Sequence, residues 1–234
     1  MRRALRITGT LLILAGALTL AWTLLVWQWQ DPFTALYTKW KQHQLASQYQ
    51  KRVEAFSAPI ATTSLADERR SIAREATRYR ASSTRGEAIG RIRIPRMGVN
   101  MVLVNGTDNE TLKKGPGRDL RTFMPGENRL VYIAGHRTTY LAPFSHIDRL
   151  RPGDPVTIEV PYAKFVYTVT RHRIVVATDL SVLRSPRHEL LELQACHPRF
   201  FASHRYIAYA RLTRVEPRGA AAFDVATLAQ ASGR

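Results

Sequence analysis

The hydrophobic pattern divides the chain into three textures. Residues 7–29 (ITGTLLILAGALTLAWTLLVWQW) carry no charge, and no polar face interrupts the run before Gln28. Such a stretch is long enough to cross a ~30 Å hydrocarbon core as a helix. Arg2, Arg3 and Arg6 precede it. Trp22, Trp27 and Trp29 cluster in its second half, the last two suited to a membrane interface. The run exceeds the apolar core of a cleavable signal and no A-x-A site follows it, so the pattern predicts an uncleaved signal anchor with its N-terminus inside. Lys39, Lys41, Lys51 and Arg52 on the far side weaken the charge asymmetry.

The second texture is polar. From Phe33 to Phe56, Leu36, Trp40, Ala46, Tyr49, Val53 and Phe56 recur at helical spacing, which predicts a helix leaning on a membrane surface or on the following domain. Residues 57–87 are dominated by Ser, Thr, Ala and charge, the composition of a spacer with one short helix near 65–80. Residues 30–87 together read as a stalk, following a short basic cytoplasmic end (1–6) and the anchor (7–29).

At Ala88 the period drops to two. Ile89 to Pro95, Val99 to Val104, Leu130 to Ala134, Pro155 to Val160, Lys164 to Ala177, Leu190 to Cys196 and Arg205 to Val215 read as strands, separated by Gly, Pro, Asn and Asp turns. Many short strands predict an all-β barrel or sandwich over 88–216 with little helix inside it. Residues 217–234 read as a flexible tail.

The formal net charge of +17 points to an anionic partner. It is spread thinly, however: +7 over residues 1–87, +9 over 88–216 and +1 over 217–234. No arm, zinc-finger or basic-zipper spacing stands out, so the expectation is no nucleic acid and a solvated basic surface.

Cys196 is the one cysteine, which excludes an intramolecular disulfide and a multi-cysteine metal site. A lone Cys is either a buried small hydrophobe or a reactive thiol. Cys196 ends a strand and Pro198 stops it, which places the thiol for exposure. A thiol attacks as thiolate, which a nearby imidazolium or guanidinium favours. Arg205 opens the next strand. Of seven histidines, His197 adjoins Cys196 but points to the opposite face of a strand. His136, closing the strand that ends in Gly135, is the best placed, although spacing alone leaves the partner open.

Two segments add to this reading. Ala134-Gly135-His136-Arg137-Thr138-Thr139-Tyr140, continuing to Asp154, resembles the catalytic-histidine region of sortases. Cys196-His197-Pro198-Arg199-Phe200, with Arg205 nine residues after the cysteine, resembles their catalytic-cysteine region, and Gly90 to Pro95 resembles their first strand. The likeness covers residues 88–216 and is most like class E sortases of actinobacteria. It implies a sortase-like eight-stranded β-barrel behind a transmembrane helix and a partly helical stalk. The catalytic roles it implies are Cys196 as nucleophile, His136 as acid and Arg205 as oxyanion stabiliser. It further implies a membrane-anchored cysteine transpeptidase, single-pass with its catalytic domain extracytoplasmic. No EF-hand loop occurs and Asp and Glu are sparse near the catalytic segments, so no metal or cofactor is expected. The implied partners are surface proteins carrying an LPXTG or LAXTG sorting signal, and a peptidoglycan-precursor or pilin amine. Tyr140 matches the histidine-segment tyrosine of class E and bears on substrate choice. The family's Thr-Leu-x-Thr before the cysteine is here Glu192-Leu193-Gln194-Ala195. Ala195 thus removes a hydroxyl beside the nucleophile, which bears on substrate preference and rate. The implied role is anchoring surface proteins to the cell wall; pilus polymerisation and a catalytically impaired binding module stand as alternatives, and purely electrostatic capture of an anionic polymer is a further one.

Overall fold

The computed structural model describes residues 2–29, 32–56 and 64–225, and buried and less buried positions alternate most clearly in its strands over 155–160 and 163–169. The strands are β1 (Ala88–Ile94), β2 (Val99–Asn105), β3 (Gly117–Arg118), β4 (Leu130–Ala134), β5 (Pro155–Val160), β6 (Ala163–Val176), β7 (Leu190–His197), β8 (His204–Pro217) and β9 (Phe223–Asp224). Their order is β6-β5-β1-β2-β3-β4-β7-β8, and β6 pairs back onto β8, closing an eight-stranded barrel; β9 is a two-residue addition to β8. The closing ladder runs from Ala163↔Pro217 to Val176↔His204. Most pairs are antiparallel, but β4 and β7 run parallel from Leu130↔Leu190 to Ala134↔Gln194. Closure still leaves the first part of β2 as an open edge on its β3 side.

Inward positions fill the barrel: Ile92 of β1, Leu103 of β2, Ile133 of β4, Ile158 of β5, Phe165 and Tyr167 of β6, and Leu191, Leu193 and Ala195 of β7 form one core. Gly90 is required where β1 meets β5, since a Cβ there would lie 2.6 Å from the Glu159 carbonyl oxygen.

Three long helices precede the barrel: α1 (Arg2–Trp29), α2 (Pro32–Ala55) and α3 (Leu65–Ser82). Residues 2–24 of α1 have mean hydropathy 1.8, are long and apolar enough to span a membrane, and bury nothing against the protein. The tail beyond residue 225, the segment 57–63 and the side chains of Trp27 and Trp29 lie outside the described part.

Helices α2 and α3 pack directly on the barrel. Ser64 caps α3, its hydroxyl accepting from the Asp67 amide, and Ile72 and Ala76 enter the main core. On α2, Leu45 and Tyr49 pack with Ala88, Val102 and Val104. Strand β2 pairs with β3 only at Val104 and Asn105, which leaves earlier backbone groups on that side open. The Gln42 amide closes the gap, accepting from the Val102 amide at 2.7 Å and donating to the Val102 carbonyl at 3.0 Å. A polar helix therefore docks here by completing a sheet edge as well as by burying apolar area.

Candidate active site

The β7 alternation sends Leu191, Leu193 and Ala195 into the core and turns Glu192, Gln194 and Cys196 to the outer face of the barrel. Cys196 lies opposite Arg205 in the antiparallel β7–β8 ladder, so their side chains share that face. The parallel β4–β7 ladder continues past β4, with the Gly135 amide donating to the Gln194 carbonyl at 3.0 Å. Two residues beyond Ala134↔Gln194, this register brings His136 level with Cys196. Gly135 is needed at the step: a Cβ would lie 2.8 Å from the Phe144 ring beneath it.

Cys196, His136 and Arg205 line one cavity of about 290 Å³. Thr107, Asp119, Arg121 and Tyr132 form another wall, and Ala177, Leu180 and Leu183 from the β6–β7 connection a third. Cys196 is half-buried and free. Arg205 Nη1 donates to the carbonyls of Ala202 (2.6 Å) and His204 (2.9 Å), which fixes its guanidinium over the β7–β8 connection. His136 Nε2 is buried and has no hydrogen-bond partner among the described residues. Burial, followed by the positive charge of Lys113, holds the His136 imidazole below its ordinary range. The neutral ring is thus favoured in the resting site, and the imidazolium is a minor form at neutral pH.

Tyr140 is adjacent to the cavity rather than in its lining. Its ring lies 5.1 Å from the His136 ring and backs it. Tyr140, Leu141 and Ala142 all have positive φ (53°, 61° and 37°), so the loop turns sharply here. Ala195 is fully buried in the barrel core, on the face opposite the cavity. The missing hydroxyl before the cysteine is therefore missing from the core side of β7.

Arg137 and Asp148 are contributors that the sequence reading did not single out. Arg137 is buried; its Nη1 donates to the Cys196 carbonyl at 3.1 Å and contacts His197 Nδ1 at 3.0 Å, while Nη2 donates to Asp148 Oδ1 at 2.9 Å. One guanidinium thus ties the histidine segment to the cysteine strand. His197 faces Arg137 and Tyr206, away from the thiol, as strand alternation requires. The only signal of this clamp in sequence is an Arg directly after the candidate histidine. No group of three His, Cys, Asp or Glu able to hold a metal occurs among the described residues.

A family model for the sortase domain matches residues 92–213, more than half of the chain. The chain belongs to the sortase family. Sortase D of Bacillus subtilis (strain 168) is 32% identical over 131 residues, 54% of this chain and 64% of that protein. Sortase SrtE1 of Streptomyces coelicolor is 28% identical over 57% of this chain and 42% of its own length. This sortase therefore spans less than two thirds of the curated relatives it matches. Among solved structures, sortase E from Streptomyces avermitilis is 34% identical, with a TM-score of 0.51 over 57% of this chain and 93% of that one. The Clostridium perfringens sortase D5 transpeptidase shares the fold at a TM-score of 0.60, covering 74% of this chain and 98% of that one, at 24% identity.

Proposed function

We propose that this protein is a membrane-anchored cysteine transpeptidase that cuts a sorting signal of the LPXTG or LAXTG kind and joins the threonine acyl group to an amine. The observation that carries the reading is the meeting of Cys196, His136 and Arg205 in one cavity, within a chain of the sortase family. The apolar helix α1 supports the anchor, and Arg2, Arg3 and Arg6 ahead of it support a cytoplasmic N-terminus with the catalytic domain outside.

Each group has a step that its position suits. The Cys196 thiolate attacks the threonine carbonyl carbon, forming a C–S bond, while the Arg205 guanidinium faces the developing oxyanion. The C–N bond then breaks, and the amine leaves with a proton from the His136 imidazolium. A thioester remains on Cys196. The incoming amine attacks it, His136 takes back a proton, and the thiolate is released. Only the fraction of sites carrying both thiolate and imidazolium starts the cycle, so the depressed His136 basicity limits that fraction. Arg137 holds the cysteine strand and histidine loop together through both steps.

The test is a panel of LPXTG and LAXTG peptides incubated with the full chain in detergent, with and without an acceptor. The acceptors are a wall-type diaminoacyl peptide and a lysine-bearing pilin peptide. Ligated product with the wall-type amine supports wall anchoring; selective ligation to the lysine peptide replaces it with pilus polymerisation. The loss of both family threonines, replaced here by Glu192 and Ala195, favours one further reading, a binding module without chemistry. Saturable peptide binding with neither cleavage nor ligation would establish it.

A further inference from the structure

Helix α2 has two faces of opposite character. One is committed to the barrel: the Thr38 hydroxyl donates to the Lys113 carbonyl at 2.8 Å, Gln42 closes the β2 edge, Leu45 is buried, and the Tyr49 hydroxyl donates to the Glu159 carbonyl at 3.0 Å. The other face presents Phe33, Leu36, Tyr37 and Trp40, at helical spacing i, i+3, i+4 and i+7, to solvent. Phe33 is 73% exposed, Leu36 70% and Trp40 53%. A row of large apolar side chains of this kind marks a surface that meets something.

Three observations name the occupant. The row begins directly after α1, whose residues 2–24 are apolar enough to span a membrane, and the Phe33 ring lies 5.9 Å from Trp22 near the end of that stretch. The composition is interfacial: Trp and Tyr sit beside Lys39 and Lys41, with Lys41 Nζ 4.2 Å from the Trp40 ring centroid, and residues 32–53 contain no Asp or Glu. Lys51, which disturbs the charge asymmetry of a simple span, falls on this same helix, whereas Arg52 is turned to the barrel side and pairs with Glu87.

The same turn of α2 touches the catalytic loop. The Tyr140 amide donates to the Thr34 hydroxyl at 3.2 Å, and the Tyr37 ring meets Tyr140 edge-on at 6.4 Å. Tyr140 in turn backs His136. We infer that the Phe33–Trp40 face of α2 lies in the lipid headgroup layer and holds the His136 loop at the membrane surface, so that the site works on substrates still at the bilayer. The inference rests on the reading of α1 as a membrane anchor.

The experiment uses the full chain reconstituted in vesicles of phosphatidylcholine and phosphatidylglycerol with lipids brominated near the glycerol end of the chains. Two single-tryptophan forms are compared: one keeps Trp40 with Trp22, Trp27 and Trp29 changed to Phe, the other keeps Trp22 with the remaining three changed. Both should lose most of their emission to the brominated lipid, and Trp40 should be shielded from aqueous iodide. Quenching of Trp22 alone, with Trp40 open to iodide, would overturn the interfacial seating and leave the anchor standing. Quenching of neither would overturn both. As a second readout, Leu36→Glu with Trp40→Glu should slow cleavage of a lipid-tethered sorting peptide several-fold and spare the same peptide free in solution. Equal rates on both substrates in wild type and variant would refute the functional half of the inference.

Discussion

Changing Glu192 to Gln should alter stability in a pH-dependent way whose size follows from where the carboxyl sits. Glu192 occupies the outer face of β7, four residues before Cys196, between Tyr132 of β4 and Tyr209 of β8. It is only 3% exposed, and its Oε2 has no hydrogen-bond partner among the described residues. Burial pushes its carboxyl from 4.5 up to about 7, with Arg171 opposing only in part. At low pH, Glu192 is protonated in the folded and unfolded chain alike. As pH rises through the unfolded value, the unfolded chain releases the proton while the folded chain keeps it. Stability therefore falls with rising pH, and the loss is complete once pH passes the folded value. For a carboxyl moved this far the loss is about 3 kcal/mol. Glu192→Gln removes that slope. The stability of the variant relative to wild type should thus grow by about 3 kcal/mol between about pH 4 and pH 8, roughly 6–12 °C in apparent Tm for a domain of this size. Any fixed cost of the amide is pH-independent and drops out of the comparison. Glu189, also pushed up to about 7 by burial against hydrogen bonds from Tyr167, Gly126 and Asn128, contributes the same slope to both proteins and cancels. Thermal unfolding of both full-length proteins in detergent across this range is the assay. A difference that stays constant with pH would refute the placement of an uncompensated carboxyl under this face.

Other perturbations test the site itself. Lys113→Met removes the positive charge that helps depress His136, so the pH limb of kcat/KM belonging to His136 should move to higher pH; Lys113 already pairs with Glu110 at 2.6 Å, so burial should keep the value below the ordinary range. An unmoved limb would show that another group controls it. Arg137→Lys cannot reach the Cys196 carbonyl and Asp148 together, and should cost about 2 kcal/mol of stability and lower kcat/KM, read by denaturation and peptide cleavage. Ala195→Thr, which restores the family's residue, places a larger polar side chain in the fully packed core; it should destabilise by about 1–3 kcal/mol and leave the ranking of peptide substrates unchanged. A change in that ranking would show that position 195 reaches the groove.

The barrel was legible where its strands alternate, as in β5 and β6: Phe165, Tyr167 and Val169 face inward from β6 as their period-two spacing predicts, whereas β4 is buried throughout. The two-residue strands β3 and β9 carry no periodic signal and escaped it. Cys196 and Arg205 were legible from strand ends, and their direct pairing follows from the connection of β7 to β8. By spacing alone His136 was the best placed of several candidates, and the family resemblance singled it out; the parallel pairing of β4 with β7 sets it level with Cys196, a contact between residues some sixty positions apart. The helix over 33–56 was legible from its periodic apolar positions, Tyr49 among them, yet the hydrogen bonds by which Gln42 and Tyr49 reach strand backbone leave no mark in a hydrophobicity pattern. Likewise, nothing local marks the residue at 192 as buried; that depends on the closed barrel.

The most direct measurement is mass spectrometry of the full chain in detergent, incubated with LPXTG and LAXTG peptides and digested under conditions that preserve thioesters. The expected result is a threonine-acyl adduct on the Cys196 peptide, absent in Cys196→Ala, trapped at higher yield in the absence of an amine and discharged when one is added. A folded wild-type protein that cleaves these peptides with no adduct at Cys196, or a Cys196→Ala variant that cleaves them equally well, would contradict the assignment of Cys196 as the nucleophile.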